Sequence, residues 1–277
     1  MNVYGIIGDP VGHSLSPDIY NFLFKTHGLD AVYLPLRIPA DRPELIGEAV
    51  DMLGLSGFNV TMPHKQTILP MLSGMTAAAE RIRSVNTVGI KDGRMTGETT
   101  DGRGFSRGLQ PLGGMAGRSV LILGAGGAAR AVAFQAADDG ARHVEILSRR
   151  PEQAAALAGA LQAEGASVSW GIFSPEAVAK SRAELLINAT PLGMHGCPEA
   201  FGSFAFLQRM EALETVCDLI YNPSETELLR CASAAGKQTQ NGLPMLLWQA
   251  LCAFEFWTGI RMGPGDYDRL QAHLSKF

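Results

Sequence analysis

At 277 residues the chain exceeds the usual span of one domain, about 100 to 200 residues, so two domains are expected. With 46% hydrophobic and 18% charged residues it lies among globular proteins and outside the disordered class. The net charge of −4 and the lack of a basic cluster larger than Ser148-Arg149-Arg150 argue against nucleic acid and anionic membranes as partners, and for a small soluble ligand. Cys197, Cys217, Cys231 and Cys252 show no C-x-x-C or paired spacing and read as reduced thiols. The N-terminus has no basic segment followed by an apolar one, and the apolar stretch 245–260 is short for a bilayer and carries Gln249 and Glu255. These features predict a cytoplasmic chain in which 245–260 is a core helix.

In chain order, "VYGIIG" (3–8) predicts a strand, Asp18 to Thr26 a helix, "VYLPLRI" (32–38) a strand, the segment from Arg42 a helix, and "GFNVTM" (57–62) a strand. Such alternation implies βαβ units and a mostly parallel sheet. A hairpin with Asp92-Gly93 at its turn follows, and the Gly- and Pro-rich stretch 102–117 marks the crossing to a second domain. There the alternation restarts with strands at 119–124, 143–148, 184–190 and 214–221, separated by Ala-rich helices. Two doubly wound α/β domains are therefore expected.

"SVLILGAGGAAR" sets Gly124, Ala125, Gly126, Gly127 and Ala128 between an apolar strand and a helix, the context that a dinucleotide-binding loop requires. Backbone amides and the positive helix end there suit a pyrophosphate. An NAD site usually ends its second strand in Asp or Glu, but "HVEILS" ends in Ser148-Arg149-Arg150. A hydroxyl and two guanidinium groups suit a 2′-phosphate, which favours NADP.

The six histidines lack metal-ligand spacing and no G-x-S-x-G is present, which excludes a zinc hydrolase and a serine hydrolase of those types. What remains in the first half is a polar set at strand ends and turns: Ser14, Ser16, Asn59, Thr61, Lys65, Asn86, Thr87 and Asp101. Hydroxyls, amides, one cation and one anion suit a small polyhydroxylated acid. Plainer uses stay open: Ser14 and Ser16 as helix caps, Asn86 as an Asx-turn. Gln249, on an otherwise apolar helix, needs a partner, because a buried amide without one costs about 1–3 kcal/mol.

The motifs "GDPVGHSLSP" (8–17), "FNVTMPHK" (58–65), "SVNTV" (84–88), "TDGRG" (100–104), "LGAGGAARA" (123–131), "INATPLGM" (187–194), "DLIYNPSET" (218–226) and "NGLPMLLWQALCAFEFWTG" (241–259) occur in the order found in one family. The chain resembles the shikimate dehydrogenases over nearly its whole length. The resemblance implies a substrate-binding domain (1–104 and 243–277), a Rossmann-type NADP domain (105–242), and C-terminal helices that return to the first. It implies NADP-linked interconversion of 3-dehydroshikimate and shikimate, without a metal, by a monomer or homodimer. Carried over by position, it makes Lys65 and Asp101 the catalytic pair. Ser14, Ser16 and Tyr221 would lie near the substrate carboxylate, and Asn59, Thr61, Asn86 and Gln249 near the ring hydroxyls. The loop Gly124 to Ala128, the turn Ser148 to Arg150, Thr190, Leu219 and Gly242 would hold the cofactor.

Hydride reduction of a ketone builds negative charge on oxygen, which a lysine can stabilise and protonate. Burial and a neighbouring carboxylate act oppositely on a lysine's charge, so Lys65 and Asp101 are expected to work as a coupled pair. Three segments depart from the family's usual residues. Arg83-Ser84 replaces Gly-Ala, Thr99 stands in "GETTDG" for an asparagine, and Ser148-Arg149-Arg150 replaces Asn-Arg-Thr. They leave open a relative acting on quinate, aminoshikimate or another cyclohexene acid, and, in a different class, a weakly active NADP-binding regulator.

Overall fold

A computed structural model describes residues 1–197, 199 and 201–275. Contacts divide the chain into two units, Met1–Gly104 with Leu247–Phe277, and Phe105–Leu246. The first begins β1 (Asn2–Gly8), α1 (Ser16–Thr26), β2 (Ala31–Arg37), α2 (Leu45–Leu53) and β3 (Leu55–Val60). It continues with β4 (Gly74–Met75), α3 (Ala77–Ile82), β5 (Thr87–Lys91) and β6 (Arg94–Glu98), and α4 (Asp101–Leu109) leads out of it. Helix α2 starts at Leu45, later than the sequence suggested, because Pro43 disfavours helical backbone at the preceding Arg42.

Among the described residues the first sheet has the strand order β2-β1-β3-β5-β6-β4. β1 pairs parallel with β2 and β3, while β3–β5 and β5–β6 are antiparallel. Asp92 and Gly93 both have positive φ, 51° and 70°, as a two-residue hairpin turn between twisted strands demands. The period-two alternation of β3 sends Phe58 and Val60 into an aliphatic core with Ile7, Ile46 and Val88. Asn59 therefore faces the opposite side, where Tyr20 stacks on Tyr33 at 4.5 Å and Trp257 donates to the Val88 carbonyl at 2.9 Å.

The second unit runs β7 (Ser119–Leu123), α5 (Gly127–Asp138), β8 (His143–Ser148), α6 (Pro151–Ala163), β9 (Val168–Ile172), α7 (Pro175–Lys180), β10 (Leu185–Asn188), α8 (Phe206–Arg209), β11 (Thr215–Asp218), α9 (Glu227–Ala234) and β12 (Gln238–Gln240). Its strands are parallel in the order β12-β11-β10-β7-β8-β9, so the order reverses between β7 and β10. Leu121, Leu123, Leu186 and Val216 fill one face. All four cysteines are free thiols.

Helices α10 (Leu243–Thr258) and α11 (Pro264–Leu274) complete the chain. Leu247, Ala250, Leu251 and Phe254 of α10 are buried, so the apolar stretch is a core helix. Among the described residues no helix is long and apolar enough to cross a membrane.

Arg83 closes α3 in the left-handed region at φ 55°, with its side chain exposed. A Cβ is disfavoured there, which accounts for the glycine that the resemblance implies at that position. The arginine's bulk points to solvent, while Ser84 is the buried neighbour. Arg83→Gly is expected to raise stability by about 0.5–1 kcal/mol, the left-handed penalty less glycine's larger unfolded-state entropy. Urea unfolding of the two proteins measures the difference.

Candidate functional site

Lys65 sits at the end of the turn that follows β3. The His64 amide donates to the Thr61 carbonyl at 2.9 Å, and the fully buried His64 ring lies 2.8 Å from the Ile38 carbonyl. The Lys65 carbonyl accepts from the Val85 amide at 2.9 Å, which ties the turn to the segment leading into β5. So anchored, the Lys65 ammonium donates to Asp101 Oδ2. Asp101 is the first residue of α4, where a carboxylate is also favoured by the helix dipole.

Asn86 holds the other Asp101 oxygen. Its Oδ1 accepts from the Thr100 backbone amide at 2.8 Å, so its Nδ2 must face Asp101 Oδ1, also at 2.8 Å. Gln249 Oε1 stands 3.2 Å from the same Nδ2. A Cβ on Gly104 would lie 2.6 Å from the Gln249 backbone nitrogen, so only glycine lets α4 approach α10 closely enough for that contact. Asn59 is committed internally: Nδ2 donates to the Asn86 carbonyl and Thr87 Oγ1, and Oδ1 accepts from the Tyr33 hydroxyl at 2.6 Å. Thr61 is half-buried beside this turn. Ser14 Oγ accepts from the Ser16 amide at 3.2 Å just before α1, whose N-cap is Leu15 with no side-chain cap bond, so neither serine is the helix cap; Ser16 is buried.

The remaining expected positions belong to the second unit and follow the carboxyl ends of β7, β8, β10, β11 and β12; Gly124 and Thr190 flank the point where strand order reverses, where open parallel sheets place ligands. Gly124 follows β7 at φ 108°, and a Cβ there would meet Thr190 Cγ2 at 3.2 Å. A Cβ on Gly126 would meet nothing within 4 Å, so the loop faces open space. Helix α5 starts there with no side-chain cap and no acidic residue in its first turn. That donor set fits a dinucleotide pyrophosphate. Beyond β8, Ser148 Oγ accepts from the Arg150 amide at 3.1 Å; Arg149 and Arg150 are exposed, and Arg149 pairs with Glu199. Gly242 packs so closely on Leu219 that a Cβ would fall 2.1 Å from the Leu219 carbonyl oxygen. Tyr221 lies two residues on, half-buried, its phenol pushed above the usual tyrosine value by burial.

Sequence reading missed the network that fixes these loops. Asn188 ends β10; its Oδ1 accepts from the Thr190 hydroxyl at 2.6 Å and its Nδ2 donates to Asp218 Oδ1 at 3.0 Å. Asp218 also accepts from Thr226, whose hydroxyl caps α9. Both Asn188 and Asp218 are fully buried. The available signal was a polar residue closing each of two apolar strands. The pairing of Arg149 with Glu199, 50 residues away, had no local signal. Thr99 adds a buried hydroxyl without a partner among the described residues. Among those residues no group of three or more His, Cys, Asp or Glu is placed to hold a metal ion.

The profile of the Shikimate dehydrogenase substrate binding domain matches residues 6–88, and that of the Shikimate 5′-dehydrogenase C-terminal domain matches 242–264. A protein of Desulforamulus reducens named Shikimate dehydrogenase (NADP(+)) is 40% identical, covering 98% of this chain and 94% of its own. The Shikimate 5-Dehydrogenase of Thermus thermophilus, solved with NADP(H) and shikimate, is 34% identical with a TM-score of 0.82 and 98% of each chain covered. The ligand-free 5-ketofructose reductase of Gluconobacter sp. strain CHM43 is 30% identical with a TM-score of 0.79, covering 100% of this chain and 99% of that one.

Burial pushes the Asp218 carboxyl up to about 6, against the three hydrogen bonds from Thr226, Ile220 and Asn188 that favour its charge. A raised folded-state value means the protonated form stabilises the fold. This contribution is complete below pH 4 and is lost as pH rises through about 6. Asp218→Asn, which cannot ionise, is therefore expected to gain on the wild type by up to about 3 kcal/mol between pH 4 and 7. Urea unfolding of both proteins across that range checks it; a difference independent of pH would contradict it.

Proposed function

The chain belongs to the shikimate dehydrogenase family, and we propose that it interconverts 3-dehydroshikimate and shikimate with NADP(H) as the hydride carrier. The observation that carries this reading is the pairing of the half-buried Lys65 with the buried Asp101, held by Asn86 in the same unit as Ser14, Ser16 and Gln249. The cofactor supplies or accepts the hydride at the substrate carbon. Lys65 stabilises the charge that develops on the ketone oxygen and protonates it, and Asp101 orients the ammonium. In the reverse direction the pair takes the hydroxyl proton.

Ser14, Ser16 and Tyr221 are assigned to the substrate carboxylate, and Thr61, Asn86 and Gln249 to ring hydroxyls. Asn59 lies beside them and mainly holds its neighbours. The loop Gly124 to Ala128, Thr190, Leu219 and Gly242 are assigned to the dinucleotide, and Ser148, Arg149 and Arg150 to its 2′-phosphate. On this reading 1–104 with 243–277 is the substrate domain, 105–242 the cofactor domain, and the chain works in the cytoplasm in aromatic amino acid biosynthesis.

The deciding assay is NADPH oxidation with 3-dehydroshikimate, run beside 3-dehydroquinate, 5-ketofructose and NADH. A preference for another ketone would replace the substrate, and tight NADPH binding with no turnover would replace the enzyme by a regulator. Lys65→Ala is expected to lower turnover by at least about 100-fold with little change in substrate affinity. A large affinity loss at unchanged turnover would instead make Lys65 an anchor. Arg149→Gln is expected to weaken NADPH binding about tenfold and leave NADH binding within about twofold, by titration calorimetry.

A further inference from the structure

A directed chain of hydrogen bonds leads from Tyr33 to the Lys65–Asp101 pair, and backbone groups decide its direction. The Asn86 carbonyl can only accept, so Asn59 must present Nδ2 to it, at 3.1 Å, and turn Oδ1 toward Tyr33. Tyr33 must then donate, at 2.6 Å; burial pushes its phenol well above the usual value, which keeps that proton in place. The second Asn59 hydrogen goes to Thr87 Oγ1 at 3.0 Å, leaving the threonine's own proton for Asn86 Oδ1 at 3.2 Å. The Thr100 backbone amide fixes Oδ1 of Asn86 as the acceptor, so Nδ2 donates to Asp101 Oδ1. Lys65 then takes Oδ2. Every member from Tyr33 to Asp101 is at most 5% exposed.

We propose that Tyr33 and Thr87, neither of which hydrogen-bonds to Lys65 or Asp101, are positioning residues that set the orientation of the Asp101 carboxylate, and through it of the Lys65 ammonium, by way of Asn59 and Asn86. Each link satisfies a buried polar group, so loss of the Tyr33 or Thr87 proton leaves an acceptor short of a partner and loosens an amide that then rests mainly on its backbone anchor, the Asn86 carbonyl for Asn59 and the Thr100 amide for Asn86. An amide so loosened holds Nδ2 less firmly on Asp101 Oδ1. Misplacement of a reacting group by about 1 Å costs up to about 100-fold in rate. The inference rests on the catalytic reading of Lys65 and Asp101, and its test contains one measurement that does not.

Tyr33→Phe keeps the ring stacked on Tyr20 and removes the hydroxyl that donates to Asn59 and also meets Ser16; Thr87→Val removes the middle link alone, and Thr87→Ser restores it. Turnover with NADPH and 3-dehydroshikimate is expected to fall about tenfold in Tyr33→Phe and Thr87→Val, with KM within about threefold, and to stay within about twofold of wild type in Thr87→Ser. In cofactor-free protein labelled with 13C at lysine Cε, which has six lysines to resolve, the Lys65 signal is expected to move in the first two variants and not in the third. Full turnover and an unmoved Lys65 signal in Tyr33→Phe would overturn the proposal, whether or not Thr87→Val folds. If the wild type reduces no 3-dehydroshikimate, the assigned activity fails, while a moved Lys65 signal still upholds the relay.

Discussion

The Asn86 carboxamide joins three separate parts of the first unit: the segment leading into β5 that carries it, the β6–α4 junction through Thr100 and Asp101, and α10 through Gln249. A planar amide has one acceptor and one donor end, so a single backbone amide at its oxygen decides what its nitrogen can do. Asp101 is thereby presented to Lys65 in one orientation. The lysine is held by its own turn, with its carbonyl tied to Val85 immediately before Asn86. Lys65 and Asp101 are positioned from the same short segment, 84–87.

A polar cluster of this density in an interior is stable only when its members satisfy one another, since each orphaned group costs about 1–3 kcal/mol. The surrounding packing supplies that condition. Aromatic rings from α1, β2 and α10 cover the Asn59 side of the sheet, while aliphatic side chains fill the other face. The second unit repeats the logic with Asn188, Asp218 and Thr226, which knit the ends of β10 and β11 to the cap of α9. There too, buried amide, carboxylate and hydroxyl groups hold the loops that carry Thr190 and Tyr221.

Much of the architecture was legible in the residues. Alternation of apolar runs and helical patterns, Asp92-Gly93 at the hairpin, and glycines between β7 and α5 each reflect a local backbone requirement that acts over a few residues. The short pieces were not legible. β4 has two residues and β12 three, and such segments carry too little periodicity to be read; sheet pairing alone defines them. Helix α3 and the edge strand β9 also escaped, the latter with Trp170 and Ile172 exposed and so without an inward alternation.

The identity of the chemical groups was determined by the sequence itself: a lysine after a strand, an aspartate at a helix start, an amide on an apolar helix, and arginines in place of an acid after β8. Which of them meet was decided only by the tertiary structure. Asn86 and Gln249 are 163 residues apart, Tyr33 and Asn59 26, and Arg149 and Glu199 50, so no local pattern relates them. The physical reason is that backbone preferences act within a turn or a strand, whereas a hydrogen bond between distant side chains exists only after sheet register and helix packing have brought its two ends together.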